Sequence, residues 1–207
     1  MADLSTLSPD LRRKLLSKIA PGTGALLRRY TSENSLTLEI GCGPGQYRFA
    51  VKGKYIGIDL TYAPYSTDLP RVIDAVADAN HLPFKANTYD LVFYSNTFHY
   101  FPNATQLLGD TLHVLKHPGI LLIFDYTKPI LQNLQRKYMS SSPGWTAHVR
   151  TCKDWIILLE KVGLEETNIK LNDSGWKQKI INNWLPKQVR FSITDLCESS
   201  IVVIGTK

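Results

Sequence analysis

The sequence predicts a doubly wound α/β protein, and two neighbouring stretches carry most of that prediction. The apolar run Leu36–Ile40 stops at three glycines on alternate positions within residues 41–45, as a buried parallel strand does when it turns sharply into a helix. Glycine at such a turn tolerates a positive φ and lets a ligand approach bare backbone. A second apolar run, residues 55–58, ends on Asp59, eighteen residues after Gly41. A carboxylate at a strand tip beside a glycine turn is typical of a site that binds the two hydroxyls of a ribose.

The composition predicts one folded domain over residues 1–207. Hydrophobic residues make up 43% of the chain and charged residues 20%, which is ordinary for a globular protein of this length. The 24 Lys and Arg residues exceed the 18 Asp and Glu residues by six, which fits an anionic substrate and equally a role in solubility alone. The sequence has neither a secretory leader pattern nor an apolar run of membrane-spanning length, so we expect a cytoplasmic protein without a membrane partner. The cysteines are widely spaced without a CxxC pair, which predicts neither a disulfide framework nor a metal site; they are Cys42, Cys152 and Cys197.

The first 33 residues are predicted to form leading helices. Ser8 is a capping residue, and Pro9 suits the first helical position. Pro21 and Gly22 are expected to break this helix, and a second short helix is predicted over residues 25–30. Basic residues cover one face of the first helix without interleaved aromatic residues, so we expect a solvated surface and no nucleic-acid partner.

Alternating helix and strand patterns follow the glycine turn. A short helix is predicted over residues 46–51 and a third strand over residues 71–75. Asn103 is expected to cap a helix. Its predicted apolar stripe consists of Leu107, Leu108, Leu112 and Leu115.

The last third of the chain begins with a polar, aromatic and basic insertion over residues 127–150, whose weak periodicity predicts a lid. A helix is predicted between Thr151 and Gly163, a strand over residues 164–171 and a final strand over residues 199–204. Neither a repeat nor a linker divides the sequence, so the simplest arrangement is a single doubly wound domain.

The spacing of the glycines distinguishes between cofactors. The dinucleotide fingerprint requires its third glycine one position later than here, where Gln46 stands. The GxGxG turn with an acidic tip on the next strand resembles instead the class I S-adenosylmethionine-dependent methyltransferases. Residues 76–84, 89–95 and 114–123 match later family segments in the right order, and the likeness covers residues 34–126. The resemblance implies a fourth strand over residues 89–95, and a helix end, a turn and a fifth strand within residues 114–123. It is closest to the small-molecule branch, methyltransferase type 11.

The resemblance implies a Rossmann-like sheet of seven strands in the order 3-2-1-4-5-7-6, mostly parallel with an antiparallel last strand. It also implies S-adenosylmethionine as the cofactor and leading helices over the active-site mouth. The residues implied to bind the cofactor are Glu39, Gly41, Cys42, Gly43, Gly45, Asp59, Leu60, Asp78, Ala79 and Ser95. Two roles stay open: Glu39 either anchors the methionine amine or only braces the loop, and Asp78 either accepts from the adenine amine or is a turn residue.

The acceptor must be met by residues beyond the strand tips. His99 follows the fourth strand, where it is either a general base or a packing residue beside the cofactor. The aromatic and cationic candidates for substrate contact are Tyr30, Tyr100, Tyr138, Trp145, His148 and Arg150. Such a mixture suits an aromatic or anionic small molecule, although Trp145 packing on the core and Arg150 facing water is an equal alternative.

Absent motifs narrow the reaction to methyl transfer onto an oxygen or nitrogen of a small molecule. Neither an Asn-Pro-Pro-Tyr-type motif nor a cysteine nucleophile follows the fourth strand, which argues against methylation of DNA bases. Asp125 stands alone after the fifth strand, so we expect no metal ion. Two alternatives remain, a nicotinamide-dependent oxidoreductase and a non-catalytic partner subunit with the same fold. The glycine spacing disfavours the first, and the intact glycine loop and Asp59 disfavour the second.

Overall fold

The computed structural model describes residues 7–62, 72–125, 148, 150, 152–164, 166–171, 189–192 and 201–206. Its α-helices are α1 (Pro9–Ser17), α2 (Pro21–Tyr30), α3 (Ala104–Val114) and α4 (Cys152–Lys161). Single 3₁₀ turns span Gln46–Phe49 and Phe98–Tyr100. None of the helices within these ranges is long and apolar enough to cross a lipid bilayer.

The described strands form one mixed sheet. They are β1 (Leu36–Ile40), β2 (Lys54–Asp59), β3 (Ala75–Val76), β4 (Tyr89–Ser95), β5 (Leu115–Asp125), β6 (Glu166–Leu171), β7 (Val189–Ser192) and β8 (Ile201–Thr206). The strand order is β3-β2-β1-β4-β5-β8-β6-β7. β8 pairs antiparallel with both β5 and β6, whereas β7 pairs parallel with β6.

The first five strands are all parallel, as the sequence predicted. Parallel strands place their carboxyl ends along one edge of the sheet, which we call the carboxyl edge. The loop after β1, the end of β2 and the segments after β3, β4 and β5 all meet there. Open α/β sheets bind ligands at this edge, so the topology defines where a functional site is expected.

Two hydrophobic clusters cover the faces of the sheet, because side chains along a buried strand alternate between its faces. In β4, Leu91 and Phe93 pack with Leu27 of α2 on one face. Val92 and Tyr94 pack with α3 and α4 on the other face, where Trp155 is also fully buried. Helices on both faces of a largely parallel sheet make the protein a doubly wound, Rossmann-like α/β fold.

The helical predictions at the amino terminus hold for α1 and are wrong for the start of α2. The hydroxyl of Ser8 accepts a hydrogen bond from the Leu11 N–H at 3.2 Å, so Ser8 caps α1 as predicted. Pro21, which the sequence analysis interpreted as a helix breaker, is the first residue of α2. Proline has no N–H to donate, but the first turn of a helix has no partner for that N–H, so proline fits there.

Further element boundaries differ from the predictions. The third strand is Ala75–Val76, later than predicted, and the helix after the glycine turn is a single 3₁₀ turn. Leu115 was assigned to a helical stripe, but it is the first residue of β5, and the chain continues as strand through Pro118. The described sheet has eight strands and not seven, because Val189–Ser192 adds a short edge strand beside β6. Residues 63–71 and 126–147 lie outside the described part of the chain.

Candidate functional site

The three glycines after β1 form a tight loop that turns back toward the end of β2. Gly41, Gly43 and Gly45 have φ angles of 70°, 53° and 74°, in the left-handed region where glycine has no steric penalty. The N–H groups of Gly41 and Cys42 both donate to the Ile58 carbonyl, at 2.9 and 3.0 Å. These bonds hold the glycine loop, residues 41–45, against the carboxyl end of β2.

The protein's own atoms explain why two of these positions are glycine. A Cβ atom on Gly41 would collide with the side chain of Thr97, and one on Gly45 would collide with the carbonyl oxygen of Val72. The sequence analysis also attributed the bare backbone to close approach by a ligand. At Gly41 and Gly45, packing against Thr97 and Val72 is sufficient to exclude a larger residue.

Asp59 joins the two motifs that the sequence analysis connected by spacing. It is the last residue of β2 and is half-buried. One carboxylate oxygen accepts from the Gly43 N–H at 2.8 Å, and the other accepts from the Leu60 N–H at 2.8 Å. Carboxylate oxygens can each accept more than one hydrogen bond, so a ligand hydroxyl can share this acceptor. The strand tip and the glycine loop therefore form one site.

Glu39 lies beneath the glycine loop, on β1, and is 1% exposed. The hydroxyl of Tyr55 donates a hydrogen bond to its carboxylate. Burial raises the pKa of Glu39 to about 8, although the hydrogen bond from Tyr55 and the charge of Arg48 act in the opposite direction. A carboxyl group that is largely neutral at pH 7 braces a loop better than it anchors an ammonium group.

A second buried pair fixes the end of the loop. Arg48 donates to the carbonyl of Gly45 at 3.2 Å and to the carbonyl of Val72 at 2.7 Å. Its guanidinium also pairs with Asp74 at 3.2 Å, and both side chains are almost fully buried. Asp74 in turn accepts from the Gly57 N–H at 2.8 Å. We call Glu39, Tyr55, Arg48 and Asp74 the loop-bracing cluster, since each holds the loop or the strand beneath it.

Exposed apolar side chains adjoin Asp59 at the carboxyl edge. Leu60 is 65% exposed and Val76 is 47% exposed. Val76 is paired with Asp59 across β2 and β3, so both apolar residues lie at the same part of the edge. Exposed apolar area of this kind favours contact with a flat hydrophobic group.

Asp78 and Ala79 follow directly after β3. One oxygen of Asp78 accepts from the N–H and the side-chain amide of Asn80, both at 2.9 Å, and the hydrogen bond to the Asn80 backbone lowers the pKa of Asp78. These bonds fix Asp78 in a turn, yet 46% of its side chain is exposed. Ala79 is buried. The turn role and a ligand-binding role are therefore compatible at Asp78.

The tip of β4 packs beside the glycine loop. Ser95, its last residue, is half-buried and is paired with Phe124 of β5. Asn96 then adopts a φ of 53°, and its N–H donates to the Phe124 carbonyl at 2.8 Å. Thr97 follows and is the residue that a Cβ on Gly41 would meet. The tip thus brings residues 97–101 next to the loop.

His99 forms a buried pair with Asp125. Its Nδ1 lies 2.6 Å from an Asp125 carboxylate oxygen, and each side chain is 2% exposed. The ring of Tyr100 lies 4.2 Å from the ring of His99, and Tyr100 is partly exposed at the surface. From the sequence, Asp125 stood alone after the fifth strand only as an argument against a metal site, and its contact with His99, the candidate base, was not predicted.

Arg150 and His148 attach the segment after the insertion to the same tip. The Arg150 guanidinium lies over the rings of Phe98 and Trp155, at 5.1 and 5.8 Å from their centroids. It donates to the carbonyls of Phe101 and His148, at 2.9 and 3.1 Å, and the His148 N–H donates to the His99 carbonyl at 2.7 Å. Arg150 is therefore held by protein groups and does not simply face water.

The remaining substrate candidates are not brought to this edge by the described residues. Tyr30 ends α2, and the next residue, Thr31, accepts from the Lys52 N–H near the start of β2, which places Tyr30 toward the opposite edge of the sheet. Tyr138 and Trp145 lie outside the described residues. Within the described ranges, groups of His, Cys, Asp or Glu suited to hold a metal ion are absent.

Sequence reasoning missed Tyr55, Arg48, Asp74 and Asp125. The first three have no motif, because each acts through a fold-dependent contact with the loop or its strand. A signal existed for Asp125, which is a carboxylate at the carboxyl end of a strand next to β4, where ligand-binding residues collect in such sheets.

Comparisons with known proteins find a matching family model and similar sequences. The family model for a methyltransferase domain, type 11, matches residues 38–123, which run from β1 to β5. A demethylmenaquinone methyltransferase of Lactiplantibacillus plantarum is 29% identical over 145 residues, covering 60% of this chain and 61% of that protein. A ubiquinone/menaquinone biosynthesis C-methyltransferase of Wigglesworthia glossinidia brevipalpis is 37% identical over 62 residues, covering 30% and 25% respectively. The matched part of the chain thus spans less than two thirds of the length of either relative.

Solved structures extend the likeness to nearly the whole chain. An S-adenosylmethionine-dependent methyltransferase of Thermotoga maritima superposes with a TM-score of 0.61, covering 95% of this chain and 93% of that protein, at 18% identity. At this level of identity the likeness concerns the fold.

Proposed function

We propose that this chain is a class I S-adenosylmethionine-dependent methyltransferase of type 11, because the family model matches residues 38–123 and similar proteins are named as methyltransferases. On that premise it transfers a methyl group from S-adenosylmethionine to a small-molecule acceptor. When bound, this cofactor supplies a methyl group on a sulfonium, and the carbon–sulfur bond breaks with its electron pair passing to sulfur. The protein's part is to bind the cofactor, orient the acceptor, exclude water and accept a proton.

The hydrogen bond between the Gly43 N–H and Asp59 carries the proposal. It places the acidic strand tip and the glycine loop within 2.8 Å of each other, so one ligand can contact both. Asp59 would accept from the ribose hydroxyls, and the backbone of residues 41–45 would face the methionine part. Ser95, at the tip of β4, would line that end of the site. We assign Glu39 to bracing the loop, because it is buried beneath it with Tyr55 as its partner.

The side of the site toward β3 suits an adenine ring. Leu60 and Val76 offer exposed apolar surface beside Asp59, which a flat aromatic base would cover. Asp78 presents a partly exposed carboxylate that would accept from the adenine amine, and the Ala79 N–H would donate to a ring nitrogen. The described residues therefore fit an adenosyl group.

His99 is the candidate general base, since its ring is held at the tip of β4 beside the glycine loop. A base at this position favours an acceptor that loses a proton on methylation. We propose an oxygen or nitrogen as the acceptor atom. An acidic carbon is the second candidate, because one relative is named as a C-methyltransferase.

Isothermal titration calorimetry with purified protein tests the cofactor part of this proposal. We expect S-adenosylmethionine and S-adenosylhomocysteine to bind and NAD to give no heat of binding. Binding of NAD without a response to either adenosyl compound would contradict the proposed function. A metabolite screen that detects release of S-adenosylhomocysteine would then identify the acceptor.

A further inference from the structure

His99 and Asp125 are brought together by the pairing of two parallel strands. Ser95 of β4 is opposite Phe124 of β5, so the residues that follow them emerge side by side at the carboxyl edge. The 3₁₀ turn Phe98–Tyr100 then directs the His99 ring toward the last residue of β5. The contact therefore depends on the sheet and on the turn, not on proximity along the chain.

The contact has the geometry of an oriented histidine. The distance of 2.6 Å between Nδ1 and the Asp125 oxygen is that of a strong hydrogen bond to a charged group. An ionised carboxylate can only accept, so in this arrangement the proton of the bond would lie on Nδ1, and Nε2 would be the ring nitrogen that acts as a base. Both side chains are almost fully buried, where a hydrogen bond of this kind is stronger than at the surface.

Arg150 adds a fixed positive charge nearby. The negative charges of Asp125 and Asp154 both stabilise the Arg150 guanidinium, although burial lowers its pKa overall. The same interaction places a positive charge near the Asp125 carboxylate. Arg150 also donates a hydrogen bond to the Phe101 carbonyl, so its positive charge is held at the tip of β4.

We infer that Asp125 is the positioning residue of His99, and that the pair removes the acceptor's proton through Nε2 of His99. This inference rests on the proposed function. As the acceptor atom forms its bond to the methyl carbon, its proton passes to Nε2, and the electron pair of the broken bond stays on the acceptor atom. Asp125 stabilises the imidazolium that results. The substrate class is therefore an acceptor that carries a removable proton, such as a hydroxyl or an amine N–H, and not a tertiary amine or a thioether.

Long-range ¹H–¹⁵N NMR correlation spectra of the histidine rings test the pair without an acceptor. The chain has five histidines, and His99→Gln identifies the signal of His99. In the wild-type protein we expect the His99 ring to carry a proton on Nδ1, the atom that contacts Asp125. In Asp125→Asn we expect that tautomer to be lost, whereas Asp110→Asn on α3 should leave it unchanged. A wild-type ring protonated on Nε2 alone would overturn the inference, even if the Asp125 variant failed to fold.

Turnover measurements, once an acceptor is known, test the catalytic part. Asp125→Asn should lower kcat by about 10²- to 10⁴-fold, by the loss of an oriented base, while the Kd for S-adenosylhomocysteine stays within about twofold. Adding Asp125→Asn to His99→Ala should lower kcat no further than His99→Ala alone, because Asp125 acts through His99. Full activity of the Asp125→Asn variant would overturn the inference. A kcat of the double variant that is clearly lower than that of His99→Ala alone would also overturn it. Failure of the wild-type protein to bind S-adenosylhomocysteine would instead contradict the proposed function, and the NMR result would still decide the pair.

Discussion

The glycine loop and the tip of β4 both contain hydrogen-bonded carboxylates, but these carboxylates bond to different kinds of group. Around the loop, Asp59 and Asp74 accept from backbone N–H groups, so they fix the path of the chain. At the tip, Asp125 is bonded to a side chain that can itself change protonation state. From this difference we propose a division of labour, in which the loop region would hold a ligand and the tip region would transfer a proton.

The largest effect is expected where the loop backbone would meet the cofactor. Gly43→Val places a branched side chain there and forces it into the left-handed region, at a cost of about 1–2 kcal/mol. We expect calorimetry to detect no binding of S-adenosylhomocysteine to this variant.

Gly163→Val is the matched control for that loss. Gly163 has a φ of 70°, yet it lies far along the chain at the end of α4, and a Cβ there meets no atom within 4 Å. The backbone of the Gly163→Val variant should be strained to a similar degree, but the variant should still bind S-adenosylhomocysteine. Equal losses of binding in both variants would attribute the effect to backbone strain and not to the loop as a ligand site.

The next effect concerns the tip. His99→Ala should lower the rate of methyl transfer at neutral pH by about 10²- to 10⁴-fold, because it removes the proposed base. Rates measured between pH 6 and 9 at saturating cofactor would check this expectation. Full activity of the variant across that range would mean that positioning alone drives the reaction, and His99 would then be a packing residue.

The smallest effect is a change in how stability depends on pH. The pKa of Glu39 is raised from 4.5 to about 8, so between these values the folded protein holds a proton that the unfolded chain has lost. Unfolding then releases a proton, and this group makes the protein less stable as pH rises through that window. Glu39→Gln should remove this contribution to the loss of stability with rising pH. From pH 5 to pH 8, the free energy of unfolding of the variant should therefore increase relative to that of the wild type.

Denaturant unfolding at several pH values measures this effect, with the exposed Glu160→Gln as the control. Parallel pH profiles of wild type and Glu39→Gln would show that Glu39 is ionised in the folded protein. The interpretation of Glu39 as a neutral brace would then be wrong.

The two regions also differ in how far the sequence predicted them. The loop region could be predicted from local spacing, because the apolar run before residues 41–45 and the apolar run that ends at Asp59 each predict a strand. In the structure, the hydrogen bond from the Gly43 N–H to Asp59 connects the ends of these two strands. The apolar runs predicted the first two parallel strands, whereas the fourth and fifth strands were implied by the family resemblance.

The tip region could not be predicted in the same way. His99 and Asp125 are 26 residues apart, and only the register between β4 and β5 brings them into contact. The same reason applies to Arg48, which is 26 residues from Asp74 and whose role depends on where the loop meets Val72. The start of α2 was mispredicted for a local reason. Proline disrupts the interior of a helix but is favoured at its first position, so Pro21 is compatible with a helix break and with a helix start.

Calorimetry of S-adenosylhomocysteine binding to Asp59→Ala and His99→Ala tests the division of labour most directly. Because hydrogen bonds to a charged group contribute about 1.5–3 kcal/mol, Asp59→Ala should weaken binding about 10- to 150-fold in a protein that remains folded. His99→Ala should bind within about twofold of wild type. An unchanged Kd in Asp59→Ala, or an equal loss in His99→Ala, would contradict the assignment of cofactor binding to the glycine loop and proton transfer to the tip.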